Sequence, residues 1–131
     1  MIALDTNVLV RFLVEDDEKQ ARRAKELIQT AIEHETGLFL SDIVLCETVW
    51  VLEVSYGFNR EQIEQVLRSI LAARYVRFTS SDRVARAIKA YATGRGDFAD
   101  YMIREHARTA GCEAVYTFDK ALKRDGGFLL M

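Results

Sequence analysis

Four short apolar runs, each about the length of a buried strand and separated by stretches of helical periodicity, set the tightest limit on how this chain folds. They are IAL (2–4), LFLS (38–41), YVRFTS (75–80) and AVYTF (114–118), with FLLM (128–131) as a fifth candidate at an edge. Between them, Ala21, Ala24, Leu27, Ile28, Ala31 and Ile32 recur at helix spacing within 17–35, with charges on the other face. Segment 42–55 is almost wholly apolar and reads as a buried helix. Asn59 caps a pattern through Ile63, Val66, Leu67, Ile70 and Leu71. Ser81 or Asp82 caps the next, carrying Val84, Ala85, Ala87, Ile88 and Tyr91. Gly94 and Gly96 interrupt, and a last helix over 98–110 ends at Gly111, a natural C-cap. Strands alternating with helices imply parallel pairing in a sheet covered on both faces. The expectation is an α/β protein, a three-layer α/β/α sandwich round a short, mostly parallel central sheet.

At 131 residues, half of them hydrophobic, the chain is sized for one domain, 1–131. No apolar run approaches the ~18 residues of a membrane span. MIALD lacks the charged and apolar regions of a signal peptide, so a cytoplasmic protein with no membrane partner is expected. Cys46 and Cys112 are too few for a disulfide framework and lack a metal-ligand spacing; Cys46 reads as a small core residue. A net charge of −2 neither points to nucleic acid nor excludes it, so the distribution of charge matters more than the sum.

Ligands of open parallel sheets bind beyond the carboxyl ends of the strands, and acids fall there. Asp5 directly follows the first run and Asp119 the fourth. Asp97 and Asp100, in GDFAD, open the helix over 98–110. Glu47 lies in the apolar helix after the second run, in IVLCETVWVL. Each aspartate also fits a plainer role: Asp5 as N-cap of a helix from Thr6, Asp97 or Asp100 as cap of the later helix, Asp119 in a turn or capping KALKR. Glu47, flanked by Leu45, Cys46, Val49 and Trp50, resists burial without a partner. Gathered at one sheet edge, these carboxylates repel one another unless a cation or a shared proton compensates. All-oxygen donors suit Mg²⁺ or Mn²⁺ rather than zinc. Such an ion serves phosphodiester hydrolysis by activating water near neutral pH and neutralising charge at phosphorus.

Together LDTNVLVRFL, SDIVLCETVWVL, GDFADYMI and VYTFDKAL resemble the PIN-domain ribonucleases, and among them the VapC-type toxins of bacterial toxin–antitoxin pairs. The resemblance spans Ile2 to about Leu122, with intervals of 42, 53 and 19 residues between Asp5, Glu47, Asp100 and Asp119. It implies an Mg²⁺-dependent endoribonuclease, with Mn²⁺ an alternative ion, acting as the toxin of a type II pair and leaving a 5′-phosphate and a 3′-hydroxyl. It places the family's acids on Asp5, Glu47, Asp100 and Asp119, with Asp97 accompanying them. Asp5 and Asp100 are the implied direct metal ligands. Glu47 and Asp119, with Asp97, bind through water, complete a second metal site or orient the attacking water. The Thr6 hydroxyl orients a ligand or water, and Asn7 holds Asp5 by a side-chain bond. Tyr101 departs from the family's DFADALI form, which has a small residue there, and KRDGGFLLM follows the family only loosely. Neither His34 nor His106 has a place in this chemistry, and both read as surface residues.

RNA being the implied substrate, Arg95 and Lys120 are the candidate phosphate contacts. Arg104 and Arg108 share one face of the same helix and fit an ordinary solvated face equally well. CETVWVLEVSYGF holds more apolar side chains than one core-facing stripe accommodates. It is either buried all round or, as the resemblance implies, a partner surface. In that second reading Trp50, Val54, Tyr56 and Phe58, with the 59–73 helix, form a groove for a cognate antitoxin helix beside a dimer surface. A homodimer or a hetero-oligomer with antitoxin is then expected. The competing reading is a catalytically silent PIN-like module that binds RNA or protein; retention of every acid weighs against it. A phosphatase of the haloacid-dehalogenase kind needs a second aspartate where Asn7 stands, and a receiver-type phosphoacceptor needs paired acids at the first strand.

Overall fold

In the computed structural model, which describes residues 1–131, every expected apolar run contains a strand and every helical pattern a helix. In order these are β1 (Ile2–Ala3), α1 (Thr6–Val14), α2 (Glu18–Glu33), β2 (Leu38–Phe39), α3 (Asp42–Tyr56), α4 (Arg60–Ala72), β3 (Val76–Arg77), α5 (Ser81–Thr93), α6 (Phe98–Thr109), β4 (Val115–Thr117), a 3₁₀ turn (Lys120–Leu122) and β5 (Phe128–Leu130). All the strand pairings are parallel, as the alternation with helices requires. They fall in two sheets, β1-β2-β3 and β4-β5, in the compact units Met1–Thr79 and Ser80–Met131.

In the first unit, Ile2 pairs with Leu38 and Leu38 with Val76. The buried side chains Leu4, Leu38 and Leu40 alternate along the strands with more exposed ones. Helix α2 presents Ala21, Ala24, Ile28 and Ala31 to the core, but Leu27 and Ile32 stand at the margin of that stripe and are exposed. Capping side chains start the helices: Asp17 accepts from the Gln20 N–H at 3.0 Å, and Ser41 from the Val44 N–H at 3.1 Å. Asn59 and Gln62 form a reciprocal capping box at 2.9 Å in each direction. Helix α3 is not buried all round. It buries Leu45, Thr48, Val49 and Leu52 and leaves Ile43, Trp50 and Val54 in solvent.

In the second unit the cap of α5 is Ser80, one residue before the expected pair, because its hydroxyl accepts from the Arg83 N–H at 3.2 Å. Asp82 instead occupies the first turn, where its charge favours the positive helix end. Helices α5 and α6 pack through Val84, Ala87, Ile88 and Tyr91 against Phe98, Tyr101 and Met102. Tyr91 and Phe98 meet edge to face, with centroids 6.1 Å apart. Burying a side chain the size of Phe98 contributes about 2–3 kcal/mol.

The segment KRDGGFLLM is anchored by Arg104, whose guanidinium lies over the rings of Tyr101 and Phe128, 5.3 and 5.8 Å from their centroids. It also donates to the Gly126 carbonyl at 3.0 Å. Gly127 must be glycine: its φ is +88°, and a Cβ there would come within 2.7 Å of the Arg104 side chain. No helix is long and apolar enough to cross a membrane.

Candidate active site

Where β1 ends, the backbone of Asp5 stays extended and its Oδ1 accepts from the Thr6 N–H at 2.8 Å, capping α1. Thr6, only 7% exposed, turns its hydroxyl the other way and donates to Glu47 Oε1 at 2.8 Å. One residue thus fixes an oxygen of two carboxylates that lie 42 positions apart in the sequence. Glu47 does not enter the apolar core as its neighbours suggest. With Ile43, Trp50 and Val54 it shares the exposed face of α3, at spacings of four, seven and eleven residues from Ile43. Asn7 makes no bond to Asp5; it lines a shallow surface pocket with Arg11, Gln20 and Arg23.

The second unit holds Asp97, Asp100 and Asp119. Asp97 is the N-cap residue of α6, and its N–H donates to Asp100 Oδ2 at 2.9 Å. Asp119 caps the 3₁₀ turn, accepting from the Ala121 N–H at 2.9 Å while its own N–H donates to Thr117 Oγ1 at 3.0 Å. Burial raises the Asp100 carboxyl above the ordinary aspartate value. The Asp97 N–H partly offsets this, and the negative charges of Asp97 and Asp119 add to it. Capping and crowding are therefore both present: the aspartates are held as caps, yet Asp100 feels two like charges.

Within neither unit do three or more His, Cys, Asp or Glu side chains form a complete metal-ligating group. The donor chemistry nonetheless fits a hard divalent ion. Asp5, Glu47, Asp100 and Asp119 each have one carboxylate oxygen held by an N–H or O–H donor, with the second oxygen available to a ligand. No thiol or imidazole is among them, which favours Mg²⁺ or Mn²⁺ over zinc. Cys46 is set apart by burial, which pushes its thiol up to about 11, with Asp42 adding to the shift.

Arg95 and Lys120 line one pocket of about 310 Å³ in the second unit, together with Lys123 and Arg124. Arg104 and Arg108 do something else. Both bond to Glu105, as does Arg86, at 2.7 Å from Arg86, 3.0 Å from Arg104 and 2.9 Å from Arg108. Glu105 is a buried hub that sequence reasoning missed. Its local signals are Arg104 beside it and Arg108 three residues on, while Arg86 comes from another helix.

Trp50 and Val54 are 62% and 64% exposed. Tyr56 is half-buried, donating its hydroxyl to Asp16 at 2.6 Å and receiving Arg11 at 3.2 Å, which ties the end of α3 to the α1–α2 corner. Phe58 lines an apolar cavity of about 440 Å³ with Leu9, Phe12 and Leu13 of α1 and Val66 and Ile70 of α4. Of the four residues expected to form a groove with the 59–73 helix, Phe58 lines this cavity and Trp50, Val54 and Tyr56 do not.

The family model for the PIN domain matches residues 2–126. A curated VapC ribonuclease of Aquifex aeolicus (strain VF5) is 29% identical over 126 residues, covering 96% of this chain and 93% of that protein. Matched from its first strand to the turn before its last, and carrying its carboxylates on the elements just described, the chain belongs to the PIN domain family.

Proposed function

We propose that this chain is a VapC-type endoribonuclease, a metal-dependent hydrolase of RNA phosphodiester bonds and the toxin of a type II toxin–antitoxin pair, its 131 residues serving as one functional domain in the cytoplasm. The observation that carries the reading lies in the second unit. There Asp100 feels the negative charges of Asp97 and Asp119, and the cations Arg95 and Lys120 stand within two residues of Asp97 and Asp119 in sequence; these three acids do not complete a metal site by themselves, so the reading also draws on Asp5 and Glu47. The likeness to a protein named a ribonuclease along almost the whole chain supports it.

Asp5 and Asp100 would hold Mg²⁺, with Mn²⁺ an alternative, and Glu47 and Asp119, with Asp97, would bind through water, complete a second metal site or orient the attacking water. Bound there, the ion supplies an activated water and neutralises charge at phosphorus, so the 2′-hydroxyl is not needed as nucleophile and a 5′-phosphate and a 3′-hydroxyl result. The protein's own groups do the positioning. Thr6 orients Glu47, the Asp97 N–H orients Asp100, and the Ala121 N–H fixes Asp119. Arg95 and Lys120 hold the RNA backbone by its phosphates. An apolar antitoxin helix fits the cavity lined by Phe58, and the exposed stripe of Ile43, Trp50 and Val54 provides a surface for a second copy of the chain.

The test is incubation of the purified chain with total cellular RNA in Mg²⁺ or Mn²⁺. Discrete cleavage is expected, abolished in Asp5→Asn with its circular dichroism unchanged. Tight RNA binding with no cleavage in either metal would instead identify a silent binding module.

A further inference from the structure

The pocket of about 310 Å³ in the second unit has two walls, Thr93–Arg95 on one side and Lys120–Asp125 on the other. Four cations line it, Arg95, Lys120, Lys123 and Arg124, and all four are exposed. None of them is held in an ion pair, and with four cations against one carboxylate the pocket keeps an excess of positive charge that a bound anion would relieve. The one acid in the lining, Asp125, is already occupied, accepting from the Tyr101 hydroxyl at 2.7 Å. That same hydroxyl accepts from the Gly96 N–H at 3.0 Å. Tyr101, fully buried, therefore ties the loop carrying Arg95 to the turn carrying Lys120, Lys123 and Arg124.

The glycines around it exist to admit that ring. A Cβ at Gly94 would run into the Tyr101 hydroxyl and approach the Ala90 carbonyl at 2.8 Å. One at Gly96 would collide with Leu122 and come within 3.2 Å of the tyrosine ring. Loop and ring are thus fitted to each other, on a loop whose only outward-facing charge is Arg95 and which runs straight into Asp97.

We propose that this pocket is a backbone subsite of the nuclease, holding successive phosphates of a single RNA strand, and that Tyr101 is the positioning residue that sets the spacing of its two walls. The ligand assignment rests on the ribonuclease reading. Arg95 lies two residues before Asp97, and Lys120 directly follows Asp119, so the strand is gripped by segments that also carry acids. The guanidinium groups of Arg95 and Arg124 suit forked contacts to phosphate oxygens, and the two lysines act as point charges beside them.

The test is binding of a fluorescein-labelled single-stranded RNA of about ten nucleotides, followed by anisotropy across a salt series with EDTA present, so that nothing is cut. Each phosphate contact on a single strand contributes about 0.7 to the slope of log affinity against log salt. Lys123→Ala/Arg124→Ala is expected to weaken binding about tenfold and flatten the slope by about 1.4, two contacts' worth. Tyr101→Phe, which keeps the ring and removes both hydrogen bonds, is expected to weaken binding severalfold and flatten the slope by about 0.7. A structural role alone would lower the melting temperature and leave that slope in place.

Lys89→Ala, an exposed lysine of α5 outside the pocket, should keep the wild-type slope. A wild-type slope in the double variant, or equal flattening by Lys89→Ala, overturns the subsite. A wild-type slope in Tyr101→Phe overturns its positioning role. RNA cut in Mn²⁺ with all slopes unchanged refutes the pocket alone, whereas the expected slopes without any cleavage refute the nuclease reading alone.

Discussion

Replacing Glu105 by glutamine should cost the second unit more than any other single change to a charged side chain. The carboxylate is 0% exposed and receives Arg86 at 2.7 Å, Arg104 at 3.0 Å and Arg108 at 2.9 Å. The three partners are unequal. Arg86 and Arg108 are 54% and 49% exposed, so each contributes at most about 1 kcal/mol. Arg104 is only 10% exposed, and its loss of a counter-charge dominates. Removing one partner of a buried pair costs about 3–5 kcal/mol. Glutamine keeps one acceptor oxygen, which puts the expected loss near the lower limit, about 3 kcal/mol. For a chain of this length that is a fall in melting temperature of roughly 10 °C.

The effect also has a required pH dependence. Burial pushes Glu105 up, but the hydrogen bonds from Arg86 and Arg104 and the charges of Arg108 and Arg104 outweigh it, so its pKa is lowered below 4.5. A lowered carboxyl contributes stability that is fully present above its unfolded pKa and lost as pH falls through the folded one. Urea denaturation of wild type and Glu105→Gln at neutral pH and at successively lower pH should show a gap that closes in acid. A neutral-pH loss below about 1 kcal/mol, or a gap that does not narrow, refutes the assignment of Glu105 as the hub.

Thr6→Val keeps the backbone cap on Asp5 and removes the donor to Glu47; RNA cleavage should fall about tenfold or more with RNA binding unchanged, as turnover and anisotropy together would show. Asp100→Asn removes a charge that burial, Asp97 and Asp119 disfavour. A raised carboxyl gives stability that is present below the unfolded value of 3.8 and lost as pH rises through the folded one. The metal-free variant should therefore melt at or above the wild-type temperature at pH 7 and lose the gain that Mn²⁺ gives the wild type, both read by scanning fluorimetry. Gly94→Ala drives a methyl against the Tyr101 hydroxyl and should cost about 1–3 kcal/mol in thermal denaturation, with part of it recovered in a Tyr101→Phe background.

Much of this was legible in the sequence because it depends on local period and local chemistry. Apolar runs of strand length, amphipathic spacings and capping residues are short-range signals, and α2, α4 and α6 lie within two residues of where those signals put them. The aspartates were legible because they sit at strand ends and helix starts, where capping and ligand binding need the same residue. Helix α3 was harder: an apolar composition does not say which face lacks a neighbour, and Glu47, placed on a helix read as buried, stands on its exposed face. Tertiary pairings left no trace at all. Nothing near Glu105 announces Arg86 nineteen residues earlier, and nothing near Tyr101 announces Asp125. Those contacts are fixed by how α5, α6 and the last turn pack, which one-dimensional spacing does not encode.

The central claim is that the chain's carboxylates serve a divalent ion in the hydrolysis of RNA. It is tested most directly by titrating Mg²⁺ into chelator-stripped protein and a defined RNA while mapping the ends produced. Cleavage should rise from none to saturation, with each cut leaving a 3′-hydroxyl on the upstream fragment and a 5′-phosphate on the downstream one. Cleavage that persists in excess chelator, or that leaves 2′,3′-cyclic phosphate, contradicts it.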